Sequence, residues 1–139
     1  MKAKFFMIEE LVPKNIVEKY GEKAWWFVDE KVISFLDSLR SNLGRSIVVN
    51  NYLWGGKNQY RGFRDIKCKI GAKNSIHRLG KAADFNVKGI TSKNVRKYIL
   101  DNIELYPGVR GIELGVSWVH IDFRNSDRLI KFRGWWYEY

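Results

Sequence analysis

Ser75-Ile76-His77-Arg78-Leu79-Gly80-Lys81-Ala82-Ala83-Asp84-Phe85 and Trp118-Val119-His120-Ile121-Asp122-Phe123-Arg124 decide how this chain folds. Ala82 to Val87 reads as one strand and Trp118 to Phe123 as another. Both histidines of the protein, His77 and His120, fall in these two stretches. Asp84 stands between Ala83 and Phe85, and a buried carboxylate is costly unless it is paired or binds a metal. Two imidazoles and one carboxylate form the three-ligand set of a catalytic zinc site, with a fourth position left for water. His77 and Asp84 reach one ion only if the chain turns at Gly80, and His120 would come from the neighbouring strand. Spacing alone leaves an alternative open, in which one histidine belongs to the core and the other to the surface.

Working outward, Val109 to Leu114 pairs as an antiparallel strand with Trp118 to Phe123 across Gly115-Val116-Ser117. Thr91 or Ser92 caps a helix running to about Ile103, with Val95 and Ile99 facing in. Ser46 to Asn50 reads as a buried strand. On the N-terminal side, Pro13 opens a short helix that Gly21 stops. A longer helix follows from Glu22 to Leu43, with Trp25, Val28, Val32, Phe35, Leu39 and Leu43 spaced by threes and fours. The Trp25-Trp26 pair reads as core and rim. The stretch from Tyr52 to Asn74, rich in Gly, Asn, Lys and Arg, is a long loop of the kind that often carries function. Ile130 to Tyr139 reads as a last strand or packed aromatic tail, with a wall- or partner-binding patch as the alternative. Helices followed by strands give an α+β fold, a small mainly antiparallel sheet packed against the N-terminal helices.

The whole chain, residues 1–139, suits a single domain. Hydrophobic residues at 45% exclude global disorder, and no apolar run reaches the length of a membrane span. Glu9 and Glu10 interrupt the apolar start, which therefore reads as part of the domain and not as a signal peptide. Cys68 is the only cysteine, so an intrachain disulfide and any multi-cysteine zinc site are excluded. The net charge of +10 is dispersed and favours polyanions, nucleic acid or an anionic cell wall alike. No helix-turn-helix, zinc-finger spacing or ribonucleoprotein motif supports nucleic acid as the partner.

The pattern Ser-x-His-x-x-Gly-x-Ala-x-Asp, followed by Trp-Val-His-x-Asp, resembles the zinc D-alanyl-D-alanine carboxypeptidase family. This LAS group of metallopeptidases includes phage endolysins that cut L-alanyl-D-glutamate bonds and the vancomycin-resistance D,D-dipeptidases. Asn50-Asn51, Gly55-Gly56 and Arg61-Gly62-Phe63-Arg64 are similar to the phage-type branch, so the likeness covers about Leu39 to Arg124. It implies the LAS (hedgehog/DD-peptidase-like) fold. It also implies that His77, Asp84 and His120 bind Zn2+ and that Ser75 supports the first ligand beside the substrate. Arg61 or Arg64, with Arg64 slightly preferred, would hold a substrate carboxylate or carbonyl. The substrate implied is a peptidoglycan stem or cross-link peptide. The protein would be made in the host cytoplasm, act at the anionic wall or from a virion, and be a monomer unless part of that virion.

One position departs from the family's pattern. Many members carry an acidic general base three residues before the last zinc histidine, and Ser117 stands there. Glu113 is the replacement expected, with Asp122 as support or as the alternative base. If neither reaches the zinc water, the domain is a metal-binding structural or wall-binding module without catalysis.

Overall fold

The structure, a computed structural model, describes residues 1–65, 68–70 and 75–134. Among these it is α+β, with three α-helices and one mixed five-stranded sheet. Helix α1 spans Lys14–Tyr20, α2 Glu30–Leu43 and α3 Ser92–Asp101. The strands are β1 (Ile47–Val48), β2 (Ala82–Val87), β3 (Gly111–Glu113), β4 (Val119–Asp122) and β5 (Ile130–Phe132), in the order β1-β2-β4-β3-β5. The β1–β2, β2–β4 and β3–β4 pairings are antiparallel, and β5 joins β3 in parallel. No helix among the described residues is long and apolar enough to cross a membrane. Trp135 to Tyr139, and Asn74 at the end of the long loop, lie outside the described residues.

The single helix expected over Glu22 to Leu43 is instead two elements. Gly21–Phe27 forms 3-10 turns, Val28 is extended, and α2 begins after Asp29. Asp29 explains the break. Its carboxylate accepts from Lys31 N–H as an N-cap, while its own N–H donates to the Gly80 carbonyl at 2.9 Å. That second bond ties the start of α2 to the turn carrying His77. Trp25 and Val28 remain buried, so the three-and-four spacing located a buried stripe without locating the helix end. Pro13 caps α1 from outside and does not occupy its first turn.

Strand alternation sorts the sheet into two faces. Ala83, Phe85 and Val87 of β2, Val119 and Ile121 of β4, and Ile112 of β3 enter the hydrophobic core with α2. Phe35 of α2 lies 6.0 Å from the Phe85 ring, 5.3 Å from Tyr106 and 6.2 Å from Phe123. The intervening residues, Asp84, Asn86, His120, Asp122, Gly111 and Glu113, belong to the other face. The helices therefore fix the sheet from one side, and the polar constellation is assembled on the other.

Candidate metal centre

Asp84 and His120 are direct cross-strand partners in the β2–β4 ladder, so the sheet itself sets their approach. His77 arrives from a 3-10 turn, Ile76–Leu79. Ser75 caps this turn by accepting the His77 N–H at 3.3 Å, and the His77 carbonyl accepts from Arg64 N–H at 3.2 Å. The turn ends at Gly80, whose φ of 70° is left-handed. A side chain there would also strike the Phe27 carbonyl.

His77, Asp84 and His120 are all buried, and each offers one ligand atom within 4.8 Å of the others. Asp84 Oδ1 lies 3.3 Å from His77 Nε2 and 2.7 Å from His120 Nδ1. Every atom opposite a ligand atom is engaged. His77 Nδ1–H donates to the Gly62 carbonyl at 2.9 Å, Asp84 Oδ2 accepts from Arg64 Nη2 at 3.3 Å, and His120 Nε2–H donates to Asp122 Oδ2 at 2.8 Å. Metal-bound histidines are oriented in this way by a carbonyl or carboxylate on the far ring nitrogen.

Burial pushes the His77 pKa down, against the attraction of and hydrogen bond to Asp84, which favours the neutral ring that a metal ligand must be. With Nδ1 turned to the Gly62 carbonyl, it is Nε2 that faces Asp84 Oδ1 and the shared centre of the group. Burial would also lower His120, but hydrogen bonds to Asp122 and Asp84 outweigh it and push the ring up to about 9. Burial acts to raise Asp84, yet His77 and His120 hold it well below the usual carboxylate range. Two nitrogens and one carboxylate oxygen suit zinc or a similar divalent ion.

The two carboxylates expected to serve as base occupy different places. Asp122 is fully buried on the far ring edge of His120. Its oxygens accept from Arg124 Nε at 2.8 Å, Arg124 Nη2 at 2.7 Å and Arg124 N–H at 3.2 Å. That placement suits support for His120. Glu113, one residue beyond the Ile112–Ile121 pair, comes level with His120 on the same face. Burial, with the nearby Asp84 charge, raises its pKa, while His120, the Gly134 N–H and Arg96 pull the other way. Ser117 is exposed.

Of the two expected substrate arginines, Arg64 is spent on Asp84 and on the Tyr60 carbonyl at 2.6 Å. Arg61 donates from Nη2 to Asn86 Oδ1 at 2.6 Å and runs beside β2, its carbonyl accepting the Asp84 N–H at 2.7 Å. Burial lowers both guanidinium pKa values against the attraction of Asp84. Among the described residues, Ser75 engages the turn of His77.

Sequence reasoning missed four contributors. The Gly62 carbonyl that orients His77 is main chain and leaves no side-chain signal. Arg124, two residues after Asp122, was legible in principle, since a buried aspartate needs a cation. Phe132 closes the site with its ring 5.6 Å from His120, edge-on, and 4.7 Å from the Arg124 guanidinium carbon. Asn86 lies two residues beyond Asp84 and therefore on its face of β2. Against this geometry, no protein-family model, no curated protein and no solved structure matches the chain.

Proposed function

We propose that the protein is a zinc-dependent peptidase that cleaves amide bonds in the peptidoglycan stem or cross-link. In this reading it is a D-Ala-D-Ala carboxypeptidase or L-alanyl-D-glutamate endopeptidase on the LAS fold, working as a phage endolysin or virion-associated lysin. One observation carries the metal: buried His77, Asp84 and His120 each turn a ligand atom to one centre, with His77 Nε2 3.3 Å and His120 Nδ1 2.7 Å from Asp84 Oδ1. The likeness of the two sequence blocks to the family supplies the substrate. The net charge of +10 suits approach to an anionic wall.

His77 Nε2, Asp84 Oδ1 and His120 Nδ1 would hold the ion. When bound, it supplies polarisation of an amide carbonyl and a water acidified toward neutrality. Glu113, its carboxyl raised by burial, accepts the proton of the attacking water and returns it to the leaving amine. Asp122 and Arg124 hold the His120 ring in orientation. Arg61, not tied to a carboxylate in its described contacts, meets the substrate's carboxylate or the developing oxyanion.

A second reading, a metal-binding module without catalysis, draws on Ser117 where the family carries its acid. Metal analysis of the purified protein, then mass spectrometry of digested cell walls, separates the two. Bound zinc with new stem-peptide termini is the result expected. Bound zinc with intact walls from several chemotypes would leave only the second reading, and absence of any bound divalent ion would end both.

A further inference from the structure

Asn86 makes more directed contacts than a residue on a strand face needs. Its Oδ1 accepts from Arg61 Nη2 at 2.6 Å, and its Nδ2 donates to the Ser117 carbonyl at 2.9 Å and to Ser92 Oγ at 3.3 Å. The Ser92 hydroxyl gives its proton to the same carbonyl at 2.7 Å. The amide orientation is forced, because a guanidinium only donates and a carbonyl only accepts. Arg96 of α3 donates through Nη1 to the carbonyls of Val116 at 3.0 Å and Trp118 at 2.7 Å. Three successive carbonyls of the loop that leads into His120 are thus held from inside.

We propose that Asn86 is a positioning residue: it couples the guanidinium of Arg61 to the Val116–Trp118 loop that delivers His120. The role of Arg61 toward substrate rests on the peptidase reading; the coupling does not. Asparagine is the economical choice here, since one planar group offers an acceptor to the arginine and donors to the loop. An arginine fixed before substrate arrives loses less freedom on binding, so the contact should act mainly on KM.

Three variants separate the two arms. Asn86→Ala removes both, Asn86→Asp keeps the acceptor for Arg61 and deletes the donors to the loop, and Ser92→Ala touches only the loop. Exchange of the Arg61 side-chain N–H protons and of the backbone amides around Ser117 is followed by NMR, with zinc stoichiometry measured alongside. KM and kcat are then measured on wall peptides. In Asn86→Ala, Arg61 protection is expected to be lost and KM to rise about tenfold, as for a lost hydrogen bond to a charged group. Zinc stoichiometry should be unchanged. Asn86→Asp should recover Arg61 protection but leave the loop exchanging fast, its new carboxylate competing with the substrate's so that KM stays high, and Ser92→Ala should loosen the loop alone. Persisting Arg61 protection in Asn86→Ala, or no recovery of that protection in Asn86→Asp, overturns the proposal. If Asn86→Ala does not fold, Asn86→Asp and Ser92→Ala decide, and loop exchange unchanged in both overturns it. If the wild type binds zinc yet cuts no wall, the peptidase reading fails, and the coupling is judged on the exchange data, which need no substrate.

Discussion

Burial pushes the His77 pKa down, and the Gly62 carbonyl accepts a hydrogen bond from its Nδ1. His120 is the opposite case: carboxylates lie at both of its nitrogens and hold it charged up to about 9. In the metal-free protein that proton contributes stability fully present below the unfolded value near 6.5 and lost as pH rises through about 9. A cation must displace it. Metal affinity should therefore weaken as pH falls below about 9, with about one proton released per ion at neutral pH. Calorimetry in buffers of different ionisation heat measures that release, and zero protons would refute the assignment of His120 as a ligand. His77→Ala, Asp84→Ala and His120→Ala should each abolish stoichiometric zinc, read by metal analysis. Asp122→Asn, which weakens the hold on His120 and the pairing with Arg124 but leaves all three ligands in place, should weaken zinc about 10- to 100-fold and leave a measurable Kd. The three ligand candidates were legible because a carboxylate amid Ala and Phe, and two scarce histidines, are conspicuous in a sequence. The roles of Glu113 and Asp122 were not, since both lie on the same face of the sheet and the pairing with Arg124 is what separates them.

Among the elements, β2, β4 and α3 follow directly from local pattern: strand propensity, alternation and a Thr91 cap. The boundary between the Gly21–Phe27 turns and α2 does not. It depends on the Asp29–Gly80 bond, a contact distant in sequence that periodicity has no means of registering. Removing the cap with Asp29→Ala should cost about 1 kcal/mol, measured by urea unfolding. The parallel docking of β5 on β3 was equally hidden, because a three-residue strand carries too few positions to reveal its partner. Gly111 is the sharper test of how strands build the site. A side chain there would collide with the Asp122 carboxylate, so Gly111→Ala should lower the melting temperature and weaken zinc together. Loss of stability with unchanged zinc affinity would show that Asp122 is not needed to hold His120.

For the molecule as a whole, division of the sheet into an apolar and a polar face separates stability from chemistry. Phe35 sits between Phe85, Tyr106 and Phe123, and Phe35→Ala should cost about 3–5 kcal/mol while zinc stoichiometry in the folded fraction stays intact. Tyr106, in the same cluster, is pushed up to about 12, chiefly by burial and against its bond from Asn42. Its contribution to stability is complete below its ordinary value near 10 and is lost as pH rises through about 12, so alkaline unfolding should coincide with phenolate absorbance. The site face has a different vulnerability. The acceptor that orients His77 belongs to the peptide linkage after Gly62, so an alanine scan would score this contact as blank. Only an ester built into the backbone at that linkage would weaken it. Nor is residue 62 open to exchange, since any β-carbon there would run into the Leu11 carbonyl, and the course of the N-terminal segment and the aim of the first imidazole are set by one hydrogen atom's worth of room.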